Sequence, residues 1–266
     1  MADQVKYAQK LKDAKVLVIG GSSGGYSTFY PTYHQSNQDV GIGYAVAEAL
    51  IENNCHVTIS ASNPKKADAT VERLLKSYPS AKSRVSGQSC ALGDEATLES
   101  NIVSLLEKVG KVDHIIHTAG DALAQMELSS IDMEKIKQAG MVRFFSPLLL
   151  AKHASKHLSP GPASSLTLTT GAVSERPTPD WTVIGSYATG LQGMTRQLAV
   201  DMKPIRVNLV SPGAVDTELW DTIGFSEEAK KTFLEAHGKK MPTGKSLRSG
   251  LPACHPWLCY GRQHVR

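Results

Sequence analysis

The stretch Lys15-Val-Leu-Val-Ile-Gly-Gly-Ser-Ser-Gly24 decides the fold of this chain. Its short apolar run predicts a buried strand that ends at the glycines. Glycines directly after a strand allow a tight turn and let the backbone approach a pyrophosphate, which the N–H groups of the next helix can bind. A plain Gly/Ser turn is the alternative interpretation. The position after a strand favours a phosphate-binding loop.

Outward from this loop, short apolar runs alternate with segments of helical spacing. Further strands are predicted at residues 56–60, 86–90, 112–117, 165–169 and 206–210, and helices at residues 42–52, 64–78, 95–108, 133–157 and 186–201. Asn63 is expected to cap the second helix and Pro147 to kink the fourth. Strands that alternate with helices indicate right-handed βαβ units. We therefore expect an α/β, doubly wound parallel sheet (Rossmann-like) in a single domain, whose ligands bind at the carboxyl ends of the strands.

The composition is that of an ordinary globular chain. The chain has 266 residues, of which 41% are hydrophobic and 20% charged, and its net charge is +4. No basic stripe indicates nucleic-acid binding, and no apolar run reaches the roughly 18 residues of a membrane span. The polar segment at residues 1–15 does not resemble a secretory signal, so we expect a cytoplasmic protein with reduced thiols. Its expected partner is a small-molecule substrate rather than nucleic acid or a membrane. No metal is expected, since Cys254, His255, Cys259 and His264 lack the usual spacing of zinc ligands.

A polar insert interrupts the predicted phosphate loop. The helix that should start directly after Gly24 begins at Ile42, so that 17 residues, 25–41, lie between them. Such a segment would sit where a phosphate should rest. Two interpretations stay open: the insert has an in-frame length that a small retained intron could have, or it is a real loop that covers or blocks the pyrophosphate.

Without the insert, the loop reads Val-Leu-Val-Ile-Gly-Gly-Ser-Ser-Gly-Ile-Gly, which resembles the cofactor loop of the short-chain dehydrogenases/reductases. Three further segments resemble this family in the same order: His117-Thr-Ala-Gly120, Gly193-Met-Thr-Arg-Gln-Leu-Ala199, and Arg206-Val-Asn-Leu-Val-Ser-Pro-Gly213 with Thr217. The resemblance spans residues 11–245 and implies a nicotinamide dinucleotide cofactor. The residues that it implies for cofactor binding are Gly20, Ser22, Ser23, Gly24, Ile42, Ser62, Asn63, Lys65, Ala119, Gly120, Pro212, Gly213, Val215 and Thr217.

The end of the chain departs from the family pattern. We divide the chain into a dinucleotide-binding reductase domain at residues 1–245 and an irregular tail at residues 246–266, where the family continues with a helix and a final strand. The tail resembles a frame-shifted or alternatively spliced end. If an edge strand is lost, the contacts of the homo-oligomer that is usual in this family would be lost with it. Residues 218–238 are expected to form a lid over the substrate.

The segment after the second strand favours NADP(H) over NAD(H). NAD-specific chains usually carry an acid there, which accepts hydrogen bonds from the ribose hydroxyls. Here Ser60-Ala-Ser-Asn-Pro-Lys-Lys66 contains no carboxylate, and its hydroxyls, amide and lysines suit a 2′-phosphate. The lysines could instead be solvated residues at the start of a helix. The acid that the family places beside the adenine falls on Ala91, and Asp94 is expected to cap a helix instead.

The acid–base set that the family uses is missing. Its tyrosine position falls on Ile184, its lysine position on Ala188 and its serine position on Thr170 or Gly171. Tyr187 stands three residues late, which turns it about 300° around the helix from Ile184. Ketone reduction that depends on Tyr187 is therefore the less favoured interpretation. The family's helix asparagine falls on Arg143, and His117 is expected to be a structural hydrogen-bonding residue.

This loss points to a different hydride acceptor. A hydride added to a neutral carbonyl makes an alkoxide that needs a proton donor, whereas a hydride added to a cationic iminium makes a neutral amine. The pattern resembles a narrower fungal group of reductases without the Tyr/Lys pair, which act in prenylated indole alkaloid pathways such as those of malbrancheamide and paraherquamide. That group reduces an iminium-type intermediate with NADPH and guides an intramolecular Diels–Alder closure. Arg143 and Asp180 resemble its charged active-site pair, and a turn aspartate and a structural arginine are the alternatives.

The sequence therefore predicts an NADP(H)-dependent oxidoreductase of fungal secondary metabolism that acts on a bulky, indole-derived substrate. Arg143 and Asp180 are the candidate catalytic residues. Two alternatives remain. The chain could be a cofactor-bound pericyclase without net redox chemistry, in which the pocket holds diene and dienophile in a reactive pose. It could also be a non-catalytic or decayed member of the family.

Overall fold

A single parallel sheet organises the chain. The computed structural model describes residues 9–21, 41–217, 227–239 and 247–248. The strands are β1 Lys15–Ile19, β2 His56–Ala61, β3 Val85–Ser89, β4 His114–His117, β5 Ser165–Thr169, β6 Arg206–Val210, β7 Val215–Asp216 and β8 Leu247–Arg248. The α-helices are α1 Ile42–Glu52, α2 Pro64–Ser77, α3 Leu98–Val109, α4 Met133–Gly140, α5 Ser146–Ala154, α6 Thr182–Asp201 and α7 Glu227–Lys239. A π-helical turn, Met141–Phe145, joins α4 to α5.

The first six strands pair in the order β3-β2-β1-β4-β5-β6. The order reverses between β1 and β4, and ligands of such sheets bind in the crevice outside the carboxyl ends at this point. Ile19, at the end of β1, pairs with Ser60 of β2 and with His117 of β4. His117 pairs in turn with Leu168 of β5. Four strand ends are therefore level, and the predicted doubly wound α/β fold is confirmed.

The core lies on both faces of the sheet. Along β1, Leu17 and Ile19 pack into one hydrophobic cluster, whereas Val16 and Val18 pack into the other. Such alternation is expected because successive side chains of a strand point to opposite faces. Both faces are buried, which explains the continuous apolar run in the sequence. Among the described helices, none is long and apolar enough to cross a membrane.

Most predicted elements lie within a few residues of their predicted bounds. The structure reproduces α1, β5 and β6 as predicted, and Asn63 caps α2 by accepting the N–H of Lys66 at 2.9 Å. Helix α6 begins at Thr182, four residues earlier than predicted. The predicted helix at residues 133–157 is three elements, because a π-helical turn divides it; α5 then begins at Ser146, one residue before Pro147.

Two local predictions are wrong. Asp94 does not cap α3, whose N-cap is Thr97; its carboxylate instead accepts the Thr97 hydroxyl at 2.6 Å and fixes the turn before the helix. The tail is not irregular throughout, since Leu247–Arg248 pairs in parallel with Val215–Asp216. The rest of the tail, residues 218–226 of the predicted lid and residues 25–40 of the insert lie outside the described residues.

Candidate cofactor and substrate site

A glycine turn at the end of β1 opens the site. Gly20 has a φ of +95°, a left-handed conformation that disfavours any side chain. A Cβ at this position would also lie 2.3 Å from the backbone nitrogen of Ala119. The Gly20 N–H donates to the carbonyl oxygen of Ser60 at 3.0 Å. The turn is thereby held close to the ends of both β2 and β4.

Helix α1 starts directly against this turn. A Cβ on Gly43 would lie 2.4 Å from Thr118 Oγ1 and 2.6 Å from the carbonyl oxygen of Gly20, so that only glycine allows this approach. The N-cap, Gly41, offers no side-chain hydrogen bond to the helix. The N–H of Tyr44 donates to the carbonyl oxygen of Gly41 at 3.1 Å, so the N–H groups of Ile42 and Gly43 are the ones that this turn offers to an anion. The predicted phosphate residues Ser22, Ser23 and Gly24 lie outside the described residues.

The end of β2 carries the groups predicted to face the ribose. The Ser60 side chain is 1% exposed, and its hydroxyl has no hydrogen-bond partner among the described residues. Ser62 and Lys65 are exposed, whereas Asn63 Oδ1 is engaged in capping α2. Ser62 and Lys65 are thus exposed to a phosphate, and the segment from Ser60 to Lys66 contains no carboxylate. The glycine cradle and the orphaned Ser60 hydroxyl both fit a dinucleotide.

The ends of β5 and β6 form the opposite side of the site. The Thr170 N–H donates to Val210 O at 2.8 Å, and the Ala172 N–H donates to Pro212 O at 3.0 Å. Pro212 and Gly213 are half-buried beside this connection, as is Val215 at the start of β7, and Thr217 is buried. The segment that resembles the nicotinamide-binding motif therefore lies beyond the strand ends, where the resemblance implies it.

A buried histidine fixes the floor of the site at the end of β4. The Nε2 atom of His117 lies 2.9 Å from Ser146 Oγ, in the first turn of α5. Burial lowers the pKa of His117 to about 4, so the ring is neutral at neutral pH. This geometry agrees with the structural hydrogen-bonding role predicted for this residue.

Arg143 lies over the residues that follow β4. It belongs to the π-helical turn, an element that often marks functional sites. Its Nη2 donates to the backbone oxygen of Asp121, and its Nε lies 3.1 Å from Asp121 Oδ1. A Cβ on Gly120 would meet the guanidinium nitrogens at 2.7 Å, so Gly120 provides the space that the arginine fills.

Asp121 is the site residue that the sequence analysis missed. Burial raises the pKa of its carboxyl from the ordinary value, and the charge of Arg143 opposes that rise. Its Oδ1 is buried and lies 3.1 Å from Arg143 Nε, so the two side chains form an ion pair. The sequence feature that could have identified Asp121 is its position directly after His117-Thr-Ala-Gly120, the segment at the end of β4.

Tyr187 is engaged away from the strand ends. Its hydroxyl donates to the carbonyl oxygen of Ile136 in α4 at 3.0 Å. Its ring packs against Phe144 and Phe145, with centroids 5.0 and 5.8 Å away, and joins α6 to the π-helical turn. A Cβ on Gly140 would lie 2.6 Å from the tyrosine ring, which shows how tightly the contact is packed.

The residues on which the sequence predicts the family's other acid–base positions to fall present no free acid or base among the described residues. Ile184 and Ala188 are buried apolar residues of α6. Thr170, one of the two residues predicted at the family's serine position, donates its hydroxyl to the carbonyl oxygen of Ala188 at 2.8 Å. Gly171 contributes no side chain. Among the described residues, no group of three His, Cys, Asp or Glu side chains could hold a metal ion.

Asp180 lies on a loop that borders the site. Its φ of +62° is in the left-handed region, and its backbone oxygen accepts the N–H of Met126 at 3.0 Å. The loop before α6 thereby lies beside the loop after β4, which carries Asp121. The Asp180 side chain is exposed, and the ion pair of Arg143 is with Asp121 rather than with Asp180. The structure thus does not pair the two predicted catalytic residues with each other.

Known proteins resemble this chain along most of its length. A family model described as an SDR-like Rossmann domain matches residues 7–248. The short-chain dehydrogenase/reductase fsr5 of Gibberella fujikuroi is 43% identical, covering 84% of this chain and 79% of its own. The short-chain dehydrogenase/reductase malC of Malbranchea aurantiaca is 37% identical, covering 93% and 88%. The solved structure of the MalC reductase/Diels-Alderase from the same organism superposes with a TM-score of 0.78 at 35% identity, covering 91% and 88%.

Proposed function

Because this chain belongs to the short-chain dehydrogenases/reductases, we propose that it is an NADPH-dependent reductase of fungal secondary metabolism that transfers a hydride to an iminium carbon. The substrate would be bulky and indole-derived. The observation that carries the proposal is the engagement of Tyr187, whose hydroxyl donates to Ile136 O. A tyrosine held in this way is not presented as the proton donor that ketone reduction requires.

The preference for NADPH rests on the residues after β2. A 2′-phosphate carries negative charge and accepts hydrogen bonds, so it fits the exposed Ser62 hydroxyl and the Lys65 ammonium. An NAD-specific site would place a carboxylate there, and this segment has none. Gly20, Ile42 and Gly43 would hold the pyrophosphate at the turn and at the start of α1.

The chemistry of the site follows from its charges. When bound, NADPH would supply a hydride; the electron pair of the iminium C=N bond would move to nitrogen, so that a neutral amine would form without a proton. The negative charge of the Asp180 carboxylate would stabilise a cationic substrate that binds next to the adjoining loops. Arg143 would donate to a carbonyl oxygen of the substrate and orient it, since its side chain is 24% exposed. Such positioning of the reactants accounts for a large part of catalysis where no proton moves.

The test compares two acceptors of similar size. The purified chain is given NADPH and either an N-methylated dihydro-β-carbolinium ion or β-tetralone, and the loss of NADPH absorbance is followed. We expect turnover of the cation and little of the ketone. Turnover of the ketone alone would refute the iminium assignment. A parallel titration with NADPH and NADH should show tighter NADPH binding that Lys65→Glu abolishes, with exposed Lys76→Glu as the control.

A second candidate is a pericyclase that binds the cofactor without net redox chemistry. It is favoured by the likeness to the MalC reductase/Diels-Alderase, a protein named for both activities. Both candidates use the same cofactor cradle and the same pocket to hold a reactive pose. Cyclised product that forms without consumption of NADPH would favour this candidate over hydride transfer.

A further inference from the structure

Arg143 and Asp121 form an ion pair at the edge of the site. The guanidinium reaches Asp121 with two of its N–H groups, one to the backbone oxygen and one to the side chain. Among residues 9–21, 41–217, 227–239 and 247–248, no other acceptor contacts it. The side chains of Arg143 and Asp121 are 24% and 33% exposed, so the pair is partly open to solvent.

The backbone around the pair is shaped to hold it. Gly120 leaves space for the guanidinium, because a Cβ there would lie 2.8 Å from its Cζ atom. The π-helical turn carries Arg143 toward the end of β4, and the bond of His117 to Ser146 ties β4 to the start of α5. The π-helical turn positions Arg143, and the end of β4 positions Asp121. The two elements together therefore hold the arginine against its counter-ion.

This arrangement decides the net charge that a ligand meets. An unpaired arginine would repel a cation and attract an anion, whereas a paired one contributes almost no net charge. Asp180 lies exposed in the loop that accepts the backbone N–H of Met126, five residues after Asp121, and adds a negative charge to that loop. The sum over Arg143, Asp121 and Asp180 is one negative charge, and a negative site raises the local concentration of cations.

We propose that Asp121 is a positioning residue that acts as the fixed counter-ion of Arg143, and that the neutral pair makes the site select cationic over anionic ligands. The inference takes the indole ring of the ligand from the proposed function. It does not depend on any reaction of that ligand. Asp121 holds the arginine where its outer edge can donate to a substrate oxygen, and it removes the positive charge that would otherwise exclude an iminium.

The test is a double-mutant cycle in which the affinity of two charged probes for the NADPH-bound protein is measured. Tryptamine is the cationic probe and indoleacetate is the anionic probe with the same ring. The wild type should bind tryptamine more tightly. Asp121→Asn should weaken tryptamine binding by about tenfold and strengthen indoleacetate binding by about tenfold, as expected for one unit of charge at a partly buried site.

The remaining variants complete the cycle. Arg143→Gln leaves Asp121 unpaired and should shift both probes in the opposite direction. The double variant restores the net charge, so both affinities should return to within about twofold of the wild type. Glu107→Gln, an exposed change of equal charge on α3, is the control and should move neither probe. Affinity for NADPH and the melting temperature verify that each variant is folded.

Three results would overturn the inference. They are equal affinity of the wild type for both probes, a parallel loss of both probes in Asp121→Asn, and failure of the wild type to bind either probe. If Asp121→Asn does not fold, Arg143→Gln alone must strengthen tryptamine and weaken indoleacetate. Because these probes do not react, an absence of hydride transfer would refute the proposed function and leave this result standing.

Discussion

Replacement of Tyr187 by phenylalanine tests whether this hydroxyl stabilises the fold or takes part in the reaction. The substitution removes one hydrogen bond of 3.0 Å to the carbonyl oxygen of Ile136 and keeps the ring that packs on Phe144 and Phe145. A neutral hydrogen bond of this kind contributes about 1 kcal/mol to the free energy of unfolding. For a chain of this size the melting temperature should fall by roughly 3 °C. Turnover of the carbolinium ion with NADPH should stay within about twofold, since general acid catalysis is not lost.

The control for this prediction is Tyr78→Phe, which removes a hydroxyl bonded to Glu52 at 2.8 Å on an exposed surface. It should cost no more stability than Tyr187→Phe and should not change turnover. Urea unfolding and steady-state rates at saturating NADPH provide the two measurements. A loss of turnover of about a hundredfold in folded Tyr187→Phe would assign the proton donor to Tyr187 and refute the reasoning from its hydrogen bond.

Three further predictions follow from the site. Gly43→Ala should weaken NADPH binding by more than about tenfold and lower the free energy of unfolding by about 1–3 kcal/mol, because its Cβ would lie 2.4 Å from Thr118 Oγ1. Gly93→Ala, whose Cβ meets nothing within 4 Å, is the control in the same titration and melting experiment. The folded pKa of His117, about 4, lies below its unfolded value, so the unfolded state binds more protons between pH 4 and 6.5. Stability should therefore fall by up to about 3 kcal/mol as the pH drops through this window, and His117→Gln should flatten that slope in pH-dependent unfolding. Asp180→Asn keeps a residue that tolerates a positive φ, and it should lower kcat/KM for the carbolinium ion by at least about tenfold while NADPH affinity is unchanged; undiminished turnover would remove Asp180 from the mechanism.

The sheet could be predicted from the sequence because its determinants are local. Strands β5 and β6 are short apolar runs, and their bounds match the prediction. Helix α1 was located from its helical spacing, although an insert separates it from the glycine turn. The start of α6 was missed because its first turn, Thr182 to Gly185, contains β-branched residues and a glycine, which lack helical signal.

The site could be predicted only in part because its pairing is not local. The importance of Arg143 followed from its place on the central helix, but its partner lies 22 residues away along the chain, after β4. The π-helical turn at Met141–Phe145 sets the direction of Arg143, and no periodic pattern announces such a turn. Whether Asp180 and Arg143 act together on a substrate stays a prediction, since the described contacts place Arg143 on Asp121.

The tight contact of Gly43 with the glycine turn has a consequence for chain length. A Cβ on Gly43 would lie 2.9 Å from the Cα of Gly21, so the two glycines that flank residues 22–42 are packed closely against each other. The entropy of closing a loop grows only with the logarithm of its length, and each doubling costs about 0.6 kcal/mol. Forms of this protein with and without the 17 additional residues should therefore share one core and differ by about 2 kcal/mol or less in stability. Natural selection on this segment would then act on how well the pyrophosphate of the cofactor reaches the start of α1. A thermal melt would not distinguish the two forms, whereas a cofactor titration would.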